Sequence, residues 1–306
     1  MRVAFFGSPG FAATALEALA KRHTVCLVVT QPDKPVGRGL KLAAPPAAAA
    51  ARVLGLPLAQ PARLKGNREF TEQLRALAPE VAITAAYGKI LPPELLEVPR
   101  HGFLNIHASL LPKYRGAAPI QWALICGEHE TGVSIMQTEA GLDTGPVRHV
   151  KRLAIAPEDT ALSLFDKLAT LGAEAVLEAL ELLAAGRLPN TPQDDSLASY
   201  APLLTKDDGR IRWHDSAQHI VNRYRGVIAW PGSWTTFRGA PLKIHQLSAA
   251  EATGDPGAII ATDSAVTVAC GEGSIRLTEV QPASRPKMTA RDWVNGYQVK
   301  AGEHFG

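Results

Sequence analysis

Residues 2–30, RVAFFGSPGFAATALEALAKRHTVCLVVT, read as a strand, a tight turn, a helix and a second strand. The apolar run 2–6 meets Gly7 and Gly10, which permit an abrupt strand-to-helix turn. Residues 10–21 carry leucine and alanine at helical spacing. Residues 24–30 are apolar on both faces, as in a strand covered from both sides. The alternation continues outward from this unit. Residues 46–54 form an alanine-rich helix whose prolines stand at its start, where a missing N–H costs nothing. Residues 68–77 and 117–126 read as helices, and 81–86 and 102–107 as strands. Residues 131–138 and 146–153 read as a strand pair around the turn 141–145, and 161–183 as a long amphipathic helix that closes the domain.

Strands apolar on both faces and alternating with helices predict an α/β fold, with an N-terminal Rossmann-like, doubly wound, mostly parallel sheet over residues 1–186. Residues 187–205 hold Pro189, Pro192 and Pro202 among Asn, Gln, Asp and Ser and read as a linker. From 206 to 306 the runs PLKIHQLS, GAIIATD, AVTVACG and SIRLTEVQP alternate between glycines and prolines. They predict a smaller C-terminal β-barrel domain, OB-like. A chain of 306 residues suits two domains.

Composition narrows the function classes. With 46% hydrophobic and 20% charged residues the chain is globular rather than disordered. No run approaches the roughly 18 apolar residues of a membrane span, and the N-terminus reads as a strand entering a turn rather than a signal peptide. Cys26, Cys126 and Cys270 are scattered and form no CxxC, which argues against a disulfide framework or a metal site and fits a reducing cytoplasm. The formal net charge is +3, yet residues 34–68 hold seven basic residues and no acid. A local basic field of this kind fits a polyanionic partner, and equally a solvated basic face.

FGSPGFA sits where a dinucleotide fingerprint would, and Asp33 follows the second strand, but G-x-G-x-x-G is missing, so NAD is not expected. Asn105 and His107 end a strand on one face, about 6–7 Å apart, at the sheet edge where open α/β folds gather ligands. An amide that can donate to an oxyanion beside an imidazole that can move protons suits acyl transfer. Asp143 lies in a glycine-flanked loop from which a carboxylate could reach the histidine. Ser109, Leu110, Leu111 and Pro112 follow His107 directly and could line an apolar slot, and the stretch from Tyr87 to Pro92 would face the same crevice. Each of these residues, taken singly, also fits an ordinary strand end, turn or loop.

Together the segments FGSPGFA, QPDKPVGRGLKL, AYGKILP, NIHASLLPKYRGAAPIQ, TGVSIMQ and AGLDTGP resemble the methionyl-tRNA formyltransferase family of folate-dependent formyltransferases, in order and spacing. The likeness continues through SYAPLLTKDDGRIRW, so it runs almost end to end. The resemblance implies formyl transfer from 10-formyltetrahydrofolate, as co-substrate, to methionyl initiator tRNA, by a protein needing no metal and no NAD and acting as a monomer. It implies Asn105, His107 and Asp143 as the catalytic trio. It assigns Tyr87, Gly88, Lys89, Ile90, Leu91, Ser109, Leu110, Leu111, Pro112, Gln137, Glu139, Gly141 and Leu142 to folate. It assigns Lys34, Arg38 and Lys41 to tRNA, and the C-terminal domain likewise. A formyltransferase for another amine, such as an amino sugar or a glycinamide nucleotide, shares the trio and differs in the basic loop and the second domain. An oxidoreductase lacks its glycine fingerprint here, and a non-catalytic tRNA binder would have no need of Asn105 and His107.

Overall fold

The computed structural model describes residues 1–36 and 41–306. The first sheet has seven strands in the spatial order Val147–Ala154, Glu130–Gln137, Phe103–His107, Val81–Ala85, Arg2–Gly7, Thr24–Val29 and Leu58–Ala59. The five strands from Phe103–His107 to Leu58–Ala59 are mutually parallel; Glu130–Gln137 pairs antiparallel with Phe103–His107, and Val147–Ala154 pairs antiparallel with Glu130–Gln137 at the sheet edge. The central strands are sealed: every residue of Val81–Ala85 is buried. One face carries a core of Phe6, Phe70, Leu74, Tyr87, Leu95 and Phe103. The other is covered by the helix Ala161–Ala184, whose Gly172 lets Ile106 and Phe11 approach the helix backbone.

Between the second strand and the helix Pro46–Val53, Lys34–Val36 pairs antiparallel with Lys41–Ala43, a hairpin that periodicity alone does not foresee. The chain divides into two compact units: 1–119, 130–155 and 164–201 in one, and 120–129, 156–163 and 202–306 in the other. The stretch expected as a linker is not free chain over its first part. Thr191 and Val147 exchange two backbone hydrogen bonds, and Tyr200–Ala201 pairs in parallel with Arg115–Gly116.

The second unit holds a curled antiparallel sheet in the order Ser233–Phe237, Ala240–Ala250, Ser274–Pro282, Val266–Ala269, Ile259–Ala261, with Met288–Thr289 pairing on Ser274–Pro282. Residues 302–306 bridge its two edges: Gly306 and Thr236 exchange backbone hydrogen bonds, while Phe305 donates to the Gly257 carbonyl. Trp213, Phe237, Trp293 and Phe305 stack at the centre with ring centroids 4.9–6.0 Å apart. Two helices not read from the sequence pack on this sheet, Ala217–Val227 and Ala290–Tyr297. Their N-caps are conventional, since Ser216 accepts from the His219 N–H and Thr289 from the Asp292 N–H.

Candidate active site

Asn105 and His107 close the strand Phe103–His107 and, as alternate residues, share a face with Phe103. Phe103 belongs to the apolar core with Phe6 and Tyr87, so the two polar side chains stand at the rim of that face. Ile106 points the other way, toward Gly172. Across the sheet Asn105 lies opposite Thr84 on one side and Met136 on the other. The Thr84 hydroxyl donates to Asn105 Oδ1 at 2.9 Å, which occupies the amide oxygen and leaves the Nδ2 hydrogens for a ligand.

The His107 side chain is 6% exposed. Its Nε2 donates to the Tyr114 carbonyl at 2.9 Å. A carbonyl only accepts, so Nε2 carries the proton and the neutral ring presents the lone pair of Nδ1. Nδ1 lies 3.6 Å from Asp143 Oδ2. A proton gained at Nδ1 therefore turns a lone pair facing an anion into an imidazolium facing a carboxylate. The same Oδ2 accepts the Gly116 N–H at 2.8 Å. Tyr114 and Asp143 both have left-handed backbones, φ +61° and +51°. Such conformations persist in non-glycine residues where the surroundings over-determine them.

Asp143 reaches this position by an indirect route. Glu130–Gln137 runs antiparallel to Phe103–His107 with Gln137 opposite Leu104 and Ser134 opposite His107. The chain thus leaves that strand beside the start of Phe103–His107, and residues 138–143 double back about 10 Å to bring the carboxylate to the imidazole.

The remaining expected residues divide. Ser109 and the Leu110–Pro112 segment are bound to the neighbouring strand: Ser109 Oγ donates to the Lys113 carbonyl, Ser134 Oγ donates to the Ser109 carbonyl, and the Leu111 N–H donates to Ser134 Oγ. Leu110 and Leu111 are half-buried rather than exposed. Tyr87 is buried edge-on against Phe6, its hydroxyl without a partner among the described residues, and burial pushes its phenol up to about 12. Gly88 takes φ +74°, and a side chain there would meet Gln31 Nε2. Lys89 donates to the carbonyls of Pro61 and Ala62, and burial, with Lys34 as a lesser cause, lowers its pKa. Leu91 packs on the core, while Ile90 is 92% exposed and Leu142 61%. Gln137 is engaged away from His107, donating to the His101 and Phe103 carbonyls and accepting from Arg148. Glu139 and Gly141 are exposed, and Gly141 lies against Thr144. Lys34 donates to Gln31 Oε1, and Gln31 Nε2 donates to the Tyr87 carbonyl, which ties the base of the basic hairpin to the 87–91 loop. Lys41 begins the second hairpin strand. Arg38 and the Lys41 side chain lie outside the described residues.

Thr84, Tyr114 and Gly116 were missed from the sequence, although each touches Asn105, His107 or Asp143. Thr84 had a visible signal as the one hydroxyl in an otherwise apolar strand. Tyr114 and Gly116 act through backbone atoms, which side-chain identity does not report.

A sequence profile described as "Formyl transferase" matches residues 1–180, and one described as "Formyl transferase, C-terminal domain" matches 203–298. The chain belongs to the formyl transferase family. Within that family, the methionyl-tRNA formyltransferase of Deinococcus radiodurans is 51% identical over 305 residues, covering 99% of this chain and 95% of the relative. The methionyl-tRNA formyltransferase of Thermus thermophilus is 50% identical over 307 residues, covering 100% and 99%. Among solved structures, the N-formyltransferase of Helicobacter canadensis with folinic acid and dTDP-3-aminofucose matches with TM-score 0.70 at 17% identity, over 92% of this chain and 98% of that one. HypX of Aquifex aeolicus with tetrahydrofolic acid matches with TM-score 0.63 at 19% identity; the match covers 99% of this formyl transferase and 48% of HypX. Both likenesses show the shared fold. Among the described residues no helix is long and apolar enough to cross a membrane.

Proposed function

We propose that this enzyme transfers the formyl group of 10-formyltetrahydrofolate to the free amino group of methionyl initiator tRNA, as a cytoplasmic monomer. Residues 1–186 carry the chemistry, and 206–306 with the 34–41 segment hold the tRNA. The observation that supports this acceptor is identity of about half, extending through the C-terminal domain, to relatives named for it. The basic stretch 34–68 supplies a field suited to phosphates. Exposed Ile90 and Leu142, on the loops assigned to the donor, offer apolar surface for a flat heterocycle to cover.

The roles follow from the geometry. The neutral amine adds to the formyl carbon and places negative charge on the formyl oxygen. Asn105, with its oxygen held by Thr84, donates Nδ2–H to that charge. His107 Nδ1 takes the proton released by the amine, and Asp143 stabilises the resulting imidazolium. The same proton passes to N10 as the carbon–N10 bond breaks, so the new amide forms with no net gain or loss of protons by the enzyme. Ser109 to Pro112 and Tyr87 to Leu91, leaving the carboxyl ends of adjacent strands, frame the donor.

The test is the mass of methionine released from charged initiator tRNA after incubation with 10-formyltetrahydrofolate, with an amino sugar nucleotide and a glycinamide nucleotide as competing acceptors. Formylation of the tRNA is expected, and formylation of only a small amine would overturn the reading. His107→Ala and Asp143→Asn should each lower kcat by about 10²–10⁴-fold with the donor KM little changed. A His107→Ala enzyme within a few-fold of wild type would remove His107 from the mechanism.

A further inference from the structure

The carboxylate of Asp143 is held in place partly from fifty residues away. Gln193 Nε2 donates to two carbonyls of the Asp143 loop, that of Asp143 itself at 2.8 Å and that of Gly145 at 2.7 Å. Its Oε1 accepts from Arg115 Nε at 3.1 Å and Nη2 at 2.8 Å. Arg115 is buried, with a side chain only 2% exposed, and Nη2 also donates to Asp195 at 2.7 Å. All four hydrogen-bonding positions of the Gln193 amide are therefore filled.

The backbone around this amide is bound on both sides. Thr191 is bonded to Val147, where the Asp143 loop ends. Ser199 accepts the Arg115 N–H at its carbonyl and the Tyr114 N–H at its hydroxyl, each within 2.9 Å. Ala201 lies so close to Gly116 that a Cβ there would come within 2.8 Å of its carbonyl oxygen. Residues 191–201 thus grip both segments that surround the His107 ring: 114–116, which supplies the Tyr114 carbonyl and the Gly116 N–H, and 143–147, which supplies the carboxylate.

We propose that Gln193 is a positioning residue, whose amide holds the left-handed turn at Asp143 so that the carboxylate faces His107 Nδ1. This rests on the reading that His107 and Asp143 handle the proton. Aspartate tolerates φ +51° better than most residues but does not favour it over commoner backbone angles, so the residue alone supplies no preference for that shape. Two charge-free hydrogen bonds to its carbonyls from a side chain anchored on buried Arg115 supply one. Without them the loop relaxes toward commoner backbone angles, and a carboxylate displaced by about 1 Å loses much of its effect on the imidazolium.

Gln193→Glu isolates the role. It is isosteric and still accepts from Arg115, but it sets an oxygen against the two carbonyls that the amide had served. Gln193→Asn keeps the amide and withdraws it by one methylene. In the full-length enzyme, with 10-formyltetrahydrofolate and charged initiator tRNA, both variants should lower kcat by roughly 10- to 100-fold and leave the donor KM within about three-fold. In an Asp143→Asn background, adding Gln193→Glu should lower kcat no more than about two-fold further, because the group it positions is already disabled. A Gln193→Glu enzyme with wild-type kcat, or effects that multiply fully in the double variant, would overturn the proposal. Near-normal activity of Asp143→Asn alone would instead overturn the reading of the proton pair, so the two failures are distinct.

Discussion

The Tyr114 carbonyl accepts the Nε2–H of His107 at 2.9 Å, and this hydrogen bond fixes the ring proton on Nε2. With Nε2 committed, Nδ1 is left facing Asp143. The acceptor is a backbone atom, so no substitution of Tyr114 that preserves its φ of +61° removes it. Control of the tautomer lies in the path of residues 112–117, which Ser199 and Ala201 hold by backbone hydrogen bonds.

Thr84 should matter to rate more than to folding. Thr84→Val keeps shape and volume but frees the Asn105 amide to rotate. Removal of one hydrogen bond of about 1 kcal/mol predicts a fall in kcat of roughly 3- to 10-fold, restored by Thr84→Ser. Steady-state kinetics of both variants check this, and a Thr84→Val enzyme with unchanged kcat would separate Thr84 from Asn105.

Tyr87 predicts both a stability and a pH effect. Its hydroxyl is buried without a partner among the described residues, so Tyr87→Phe should raise stability in urea at neutral pH by on the order of 1 kcal/mol. Burial pushes the phenol up to about 12. The unfolded chain releases that proton near pH 10 and the folded chain does not, so this tyrosine leaves stability unchanged with pH below about 10 and lowers it as pH rises from there toward 12. Burial pushes the Cys270 thiol up to about 12 as well, so the difference between wild type and Tyr87→Phe isolates the tyrosine. Equal alkaline slopes for the two proteins would contradict the assignment.

The basic segment 34–41 separates a tRNA acceptor from a small amine. Arg38→Ala with Lys41→Ala should weaken use of charged tRNA and reduce its salt dependence by about 0.7–0.9 in log–log slope for each phosphate that is no longer neutralised. The donor KM should stay near its wild-type value. An unchanged slope and kcat/KM would exclude this segment from tRNA binding.

Gly172→Ala opposes two effects. Alanine is the better helix former by about 1 kcal/mol. The added methyl, however, would come within 2.9 Å of Ile106 Cγ2 and 3.3 Å of Phe11 Cζ in a packed core, and overpacking costs about 1–3 kcal/mol. Net destabilisation is expected, read as a lower Tm. A higher Tm would mean that the helix Ala161–Ala184 shifts without cost over the back of the Asn105–His107 strand.

The sequence by itself determined the main strands and helices of the first unit, because they follow from the local period of apolar residues, but not its hairpin Lys34–Val36 with Lys41–Ala43 or its short edge strand Leu58–Ala59. The stretch read as 81–86 is the strand Val81–Ala85, and 161–183 is the helix Ala161–Ala184. It also determined that Asn105 and His107 share a face, since alternation in a strand is a property of the backbone alone. The helices Ala217–Val227 and Ala290–Tyr297 carried legible caps but were hidden by the β-like runs around them. Tertiary structure alone decided the approach of Asp143 to His107, because residues 138–143 reverse direction against the strand they leave. It alone joined Gln193, within a stretch that reads as a linker, to the carbonyls of Asp143 and Gly145. Those hydrogen bonds run between backbone carbonyls and side chains far apart in the chain, and a carbonyl is the same atom in every residue, so no pattern of residue types announces it.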